Sequence, residues 1–165
     1  MSVIIRELRD DTDDIASCLA IYNYYIENTT ITFEEEPLTL EEFTRRLRGI
    51  HASFPFFVVE EGGRVVGYAY LDRFHPRSAY RFTVALSVYL DHNVRARGIG
   101  SQLLCRIEEA ARERGLRHIV SLITGENSGS VRFHEKHGFE KKGTLSEVGF
   151  KFDRRLDVMY YQKTL

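Results

Sequence analysis

Tryptophan is missing from the 165-residue chain, and cysteine and proline are scarce, at two and three residues. With only Cys18 and Cys105, no disulfide framework can hold the fold, so stability has to come from a buried core. A chain of this length can build one. The prolines, Pro37, Pro55 and Pro76, lie between periodic segments, where they punctuate rather than interrupt. An excess of one charge is also missing: 23 Lys and Arg face 24 Asp and Glu, a formal net charge of −1. That balance argues against broad electrostatic binding of nucleic acid or an anionic membrane, and leaves room for a local anion site. No apolar run approaches the roughly 18 residues of a membrane helix. The N-terminal MSVIIRELRDD has no apolar stretch of signal-peptide length. A cytoplasmic protein is expected, without nucleic-acid or membrane partners. No metal is expected either, because His134-Glu135-Lys136-His137 spaces its histidines at i, i+3 where a zincin helix needs i, i+4.

With no repeat, low-complexity tract or linker, residues 1–165 read as one domain. Val3 to Leu8 reads as a first strand. Thr12, Asp13 and Asp14 open a helix with Ile15, Leu19, Tyr22 and Ile26 on one face. Thr39 to Glu42 has the form of a capping box and starts a second helix, with Leu40, Phe43 and Leu47 inward. Phe56 to Glu61 and Val65 to Leu71 flank Gly62-Gly63, a hairpin signal. Thr83 to Leu90 is another strand. Gly98 to Arg114 is an amphipathic helix with Ile99, Leu103, Ile107 and Ala111 inward and Gly115 as its stop. Ile119 to Ile123, a short helix over Ser130 to His137, and strands Phe139 to Leu145 and Val158 to Gln162 complete the chain. The order β-α-α-β-β-β-α-β-α-β-β predicts a mixed α+β fold, hairpin-rich in its first half and with a right-handed crossover in its second. Cys18 and Cys105 read as buried small hydrophobes. Glu108, Glu109, Arg112, Glu113 and Arg114 read as a solvated helix face.

The stretch LSVYLDHNVRARGIGS, Leu86 to Ser101, is the most informative. A strand runs into a loop with two arginines and two glycines, and that loop opens the amphipathic helix. The first N–H groups of a helix have no internal partner and sit at the positive end of its dipole. Glycines allow an anion to approach the backbone, and Arg95 and Arg97 add charge. The alternative is a plain strand-to-helix turn with solvated arginines. No Walker lysine follows, and the dinucleotide-fold glycine spacing is absent.

Arg95-Ala96-Arg97-Gly98-Ile99-Gly100 after the strand resembles the acetyl-CoA loop, Q/R-x-x-G-x-G/A, of the GNAT superfamily of N-acetyltransferases. The later N-x-x-S-x-x-x-(Y/H)-x-x-x-G-F pattern of that superfamily is present as Asn127, Ser130, His134, Gly138 and Phe139. Ile21-Tyr22-Asn23, Thr29 to Phe33, Ala79 to Val84, Ser87-Val88-Tyr89, Phe133-His134-Glu135 and Val148 to Phe152 look like its phosphinothricin and methionine sulfoximine acetyltransferase branch. The resemblance covers nearly the whole chain. It implies the GNAT fold, a twisted, mostly antiparallel mixed sheet of about six to seven strands flanked by about four helices. It also implies acetyl-CoA as cosubstrate, the amine of a small amino acid analogue as acceptor, and a homodimer. Loop residues 95 to 101 (Arg95, Ala96, Arg97, Gly98, Ile99, Gly100, Ser101) would hold the pyrophosphate. Val88, Tyr89 and Leu90 would run beside the pantetheine, with Asn127 and Ser130 nearby.

The same resemblance places an oxyanion-binding main-chain N–H at Tyr89 or its neighbour and offers His134 as proton donor to the leaving thiolate. For His134 the alternative is packing or a backbone bond. On the acceptor side it points to Arg77 or Arg81 for a carboxylate, Phe33 as an apolar wall, and Ala85 and Ser87 in the strand. Two departures stand out. Where the branch reads T-V-E, this chain has Ala85, so no carboxylate stands there to take the amine's proton. Water could carry it to Glu34, Glu36 or His75, the acceptor could be another amine, or the chain could bind acyl-CoA without turnover. Where the branch has K-F-G-R-W, this chain has Lys151-Phe152-Asp153-Arg154-Arg155, which exchanges an aromatic pocket wall for charge unless Arg155 points to solvent.

Overall fold

The computed structural model describes residues 2–94 and 97–165. Its elements are β1 (Val3–Glu7), α1 (Thr12–Asn28), α2 (Leu40–His51), β2 (Phe56–Glu61), β3 (Arg64–Arg73), a 3-10 turn at Ser78–Tyr80, β4 (Thr83–Leu90), α3 (Ile99–Glu113), β5 (His118–Thr124), α4 (Ser128–Lys136), β6 (Glu140–Lys151) and β7 (Arg154–Thr164). They build one seven-stranded sheet in the order β1-β2-β3-β4-β5-β7-β6. Every neighbouring pair is antiparallel except β4 and β5. The fold is the expected α+β arrangement, a mostly antiparallel sheet with four α-helices.

Strand alternation divides the core into two layers. Phe57, Val59, Val66, Leu71, Val84 and Leu86 pack with Leu103, Leu104 and Ile107 of α3 on one face. Phe56, Val58, Val65 and Tyr68 pack with Ile15, Ile26, Phe43 and Leu47 of α1 and α2 on the other. The helix starts follow their sequence signals. Asp11 caps α1 by accepting from Asp14 N at 2.8 Å. Both halves of the Thr39–Glu42 capping box form at α2. The buried Asp14 carboxylate is gripped by Arg6 at 2.6 and 2.8 Å and by Arg9 N at 2.9 Å. Burial pushes its pKa up, but these bonds outweigh burial and hold it below the ordinary value.

Four side-chain and strand expectations are corrected. Leu40, the first residue of α2, is exposed, because the inward face starts at Phe43. Cys105 is exposed while Cys18 is buried. Glu108 is buried rather than solvated, since Lys163 of β7 reaches across to it at 2.7 Å. The last two strands run far past their expected ends, to Lys151 and back from Arg154. A two-residue turn at Phe152-Asp153, both at positive φ, joins them as a tight hairpin. The pairing slips between Leu145 and Gly149, where Glu147 has φ 54° and its N–H bonds Asp157 Oδ1 at 2.7 Å. That bulge breaks the alternation, so the sequence does not show the strand continuing.

Leu103 is fully buried in the α3 layer. Leu103→Ala is expected to lower unfolding free energy by about 3 kcal/mol, read as a lower midpoint in urea.

Candidate active site

β4 and β5 pair only from Thr83 to Ala85, against His118 to Val120. Beyond that point β4 stays on β3 and β5 stays on β7, so the two strands part. Their facing backbone groups follow from the register. Asp91 N bonds Val66 O at 2.8 Å, which makes Tyr89–Tyr68 the next mutually bonded pair along the ladder. Leu86, Val88 and Leu90 therefore turn their N–H and C=O groups away from β3; the Ala85–Val120 pairing uses the Leu86 N–H, and the groups beyond it face the gap. Gly125 N bonds Asp157 O at 2.8 Å, so by the same rule Leu122 and Thr124 face the gap from β5. A buried strand edge without a partner strand is otherwise costly, and here it lines a cavity of about 600 Å³.

The cavity continues from Val88, Tyr89 and Leu90 to Arg97, Gly98, Ile99, Gly100 and Ser101 at the start of α3, and is closed on its far side by Asn127, Ser130 and His134 of α4. Sequence positions far apart thus meet in one groove. Arg95 and Ala96 lie outside the described residues. Gly98 caps α3 at φ 71°, a left-handed conformation that a residue with Cβ adopts at a cost. No side chain caps this helix, and its first closed turn is Gln102 N to Gly98 O at 3.0 Å. The N–H groups of Ile99, Gly100 and Ser101 thus precede the first closed turn and point toward the cavity end. A Cβ on Gly100 would lie 3.3 Å from the Phe133 ring and 3.7 Å from the Leu90 side chain. The Arg97 guanidinium is paired with Glu61 of β2 at 2.8 Å, so an incoming anion would have to share or displace that carboxylate.

Tyr89 sends its side chain to the α1 face. Its ring lies edge-on to Tyr22 at 5.1 Å and tilted to Tyr25 and Tyr68 at 5.5 Å. Burial pushes its hydroxyl pKa well up. Because its main chain belongs to the Tyr68 ladder, the N–H groups aimed at the gap are those of its neighbours Val88 and Leu90. The Leu90 carbonyl is already taken by the Tyr25 hydroxyl at 2.5 Å. Tyr25 is a wall residue that the α1 pattern of Ile15, Leu19, Tyr22 and Ile26 did not single out.

His134 is buried, and both ring nitrogens are engaged. Nδ1 donates to the Ser130 carbonyl at 2.7 Å, which leaves Nε2 to accept from the Ser121 hydroxyl at 3.0 Å. Burial lowers its pKa, against the opposing pull of the Ser130 carbonyl, and the ring is neutral near pH 7. In this pattern Nε2 has no proton to give. Asn127 caps α4 through its side chain, accepting from Ser130 N at 3.2 Å.

The acceptor-side residues are less gathered. Ser87 lines the cavity, whereas Ala85, Phe33, Arg77 and Arg81 stand outside its lining. Arg81 turns onto the Ser78 carbonyl at 3.1 Å and over the Phe82 ring. Phe33 sits on Gly149, where a Cβ would come within 2.4 Å of its ring. The segment carrying Phe33 is tied down by side chains whose sequence gave no signal. Buried Lys151 donates to the Thr32 carbonyl at 2.8 Å, Thr124 donates to the Thr30 carbonyl at 2.6 Å, and Thr30 bonds Glu126, which Arg154 grips at 2.8 and 3.0 Å. Arg155 is exposed, beside the Phe150 ring, rather than walling a pocket.

Three comparisons bear on this arrangement. The chain is 36% identical over 170 residues to an L-methionine sulfoximine/L-methionine sulfone acetyltransferase of Pseudomonas aeruginosa, covering 100% of this chain and 96% of that protein. The crystal structure of a phosphinothricin acetyltransferase from Sinorhizobium meliloti in complex with AcCoA superimposes with a TM-score of 0.93 at 34% identity, covering 100% and 89% of the two chains. That of a ribosomal-protein-alanine N-acetyltransferase from Brucella melitensis gives 0.93 at 39% identity, covering 98% and 99%. Residues 5–160 match the model of the acetyltransferase (GNAT) domain, and the chain belongs to that family.

Proposed function

We propose that the chain moves an acetyl group from acetyl-CoA to the primary amine of a small amino acid or analogue, of the phosphinothricin or methionine sulfoximine kind, by direct transfer in a ternary complex. The divergence of β4 from β5 carries the proposal. An extended pantetheine arm has amides spaced like a peptide, and the free edge of β4 from the Leu86 carbonyl through Val88 to the Leu90 N–H offers it a strand to pair with. The pyrophosphate then reaches the Gly98 end of α3. The N–H of Val88 or Leu90 is the donor for the developing oxyanion. His134, held at both nitrogens, keeps α4 against β5 and shapes the wall beside the thioester. Arg77, exposed and without an ion-pair partner among the described residues, is better placed than Arg81 to meet an acceptor carboxylate. Phe33, Ala85 and Ser87 complete the acceptor side.

Acetyl-CoA and a panel of amino acids, followed by free-thiol release, test the activity. Turnover is expected on at least one small amino acid analogue, and no turnover on any amine overturns the proposal. The relative named for ribosomal-protein alanine favours a second acceptor class, so the panel includes a peptide beginning with alanine. Coenzyme binding without thiol release would instead mark an acyl-CoA-binding module.

Gly100→Glu brings side-chain bulk and negative charge to the proposed diphosphate seat. Calorimetry is expected to show CoA affinity lowered by at least about tenfold, ~1.4 kcal/mol, with the circular dichroism spectrum retained. Unchanged affinity would place the diphosphate elsewhere.

The chain further forms a homodimer in this proposal. The exposed apolar side chains Leu145, Val148, Phe150 and Phe152, on the edge strand β6 and its turn, support it. Light scattering should return twice the chain mass, and a monomer at working concentration would refute pairing.

A further inference from the structure

β3 carries a carboxylate with no role in what has been described so far. Asp72 is the direct cross-strand partner of Ala85, just as Tyr70 partners Ser87 and Tyr68 partners Tyr89. Partners in an antiparallel ladder project on the same face, with Cβ atoms about 5 Å apart. These six residues therefore form a double column on the α1–α2 side of the sheet. The column ends with Asp72 and Ala85 at the level where β4 and β5 stop pairing, at Ala85 and Val120. Asp72 is half-buried there. Its Oδ1 accepts from Arg73 N at 2.7 Å, and Oδ2 has no partner among the described residues. Ala85 presents only a methyl group beside the carboxylate, and the next residue along the β4 column, Ser87, lines the cavity.

The other carboxylates and imidazoles on this side are worse placed. Glu34 is held by both arms of Arg46 at 2.7 and 2.8 Å and by the Tyr22 hydroxyl. Burial alone would raise its pKa, but those bonds outweigh burial and leave it a weak base below the ordinary range. Glu36 is exposed on the loop before α2. His75 is exposed, its ring against Phe74 at 4.3 Å and Tyr80 at 5.2 Å. Asp72 is bonded by Arg73 N and acts on the neighbouring Tyr70 of its own strand, and Arg46 and Glu34 from α2 and the preceding loop also act on Tyr70. Arg46 and Glu34 offset each other as an ion pair.

We propose that Asp72 is the proton acceptor for the incoming amine, taking the ammonium proton directly or through one water across the Ala85 methyl. The inference rests on the acetyl-transfer function proposed above. The ammonium group R–NH3+ gives one proton to the Asp72 carboxylate, which passes it to solvent. The freed nitrogen lone pair forms the N–C bond to the thioester carbonyl carbon. Collapse of the tetrahedral adduct breaks the C–S bond, and the nitrogen's surplus proton goes to the departing thiolate. The products are the acetamide and CoA thiol, with one proton released.

Asp72→Asn tests the assignment by thiol release across pH on the best amine of the panel. It is expected to lower kcat/KM near pH 7 by about 100-fold and to erase the acidic limb of the wild-type profile, with CoA affinity unchanged. Adding Ala85→Glu to Asp72→Asn puts a carboxylate on the same face of the neighbouring strand, and is expected to recover at least about tenfold of the loss and restore an acidic limb. An Asp72→Asn enzyme with the wild-type rate and profile overturns the inference. So does a loss of rate that leaves the acidic limb in place and that Ala85→Glu does not repair, which would mark a structural residue. Wild-type chain that turns over no amine fails the function proposed above as well, whereas active wild type with an indifferent variant fails Asp72 alone.

Discussion

The fold turns on a pairing that stops early. β4 and β5 hold each other only over Thr83–Ala85 and His118–Val120, then part while each keeps its other neighbour. Parallel pairing needs evenly spaced bonds along both strands, and a continuous ladder would close the groove altogether. Instead the Leu86 carbonyl, both main-chain groups of Val88 and the Leu90 N–H stay turned toward a cavity. Most proteins hide such an edge under a loop or helix. Here α4 stands off from the edge, and residues of both line a cavity of about 600 Å³.

Polar tethers bracket the open ends of the two strands. Tyr25 of α1 holds the Leu90 carbonyl at the far end of β4. Ser121 of β5, His134 and the Ser130 carbonyl fix α4 to its own strand. Thr30 and Thr124 bind the α1–α2 loop to the end of β5. Buried and satisfied bonds of this kind contribute about 1 kcal/mol each, and orphaning one partner costs more. The two apolar layers fix where the strands lie, and the tethers secure their open ends. The exposed pair Arg154–Glu126 adds little by itself to stability. Its effect is positional, since Glu126 also bonds Thr30.

Much of this was legible beforehand. The 3.6-residue pattern of α3, the capping box at Thr39 and the two-glycine hairpin each turned out as read, because each is set by residues close in sequence. The loop and the α4 motif were legible as motifs, and residues of both line one cavity. The strand gap that joins them was not, since it depends on which neighbours β4 and β5 choose. The β6–β7 hairpin was cut short because a bulge at Glu147 shifts its alternation and because Val148 and Phe150 are apolar yet exposed. Lys151 gave no sign of being buried. A lysine in an alternating run reads as solvent-facing, and only the loop carbonyl of Thr32, 119 positions away, explains it. Asp72 was equally silent, because its importance lies in a cross-strand register.

The two halves of the site are built from different materials, and that difference governs what can vary. In the proposed reading the groove for the cosubstrate uses main-chain N–H and C=O groups of β4 and the first turn of α3, which survive side-chain replacement as long as Gly98 keeps its left-handed backbone and Gly100 its room. The proposed acceptor side uses side chains: Phe33 on Gly149, Arg77 on an exposed turn, Ser87 and Ala85 on β4, Asp72 on β3. A single replacement there changes charge or volume without disturbing a ladder. A change of charge at position 85 is therefore cheap for the fold, and the ladder already holds the Asp72 carboxylate directly opposite. Such a division lets a scaffold keep the main-chain groove while the residues facing the amine are replaced, and the relatives at 36% and 39% identity are named for different acceptors.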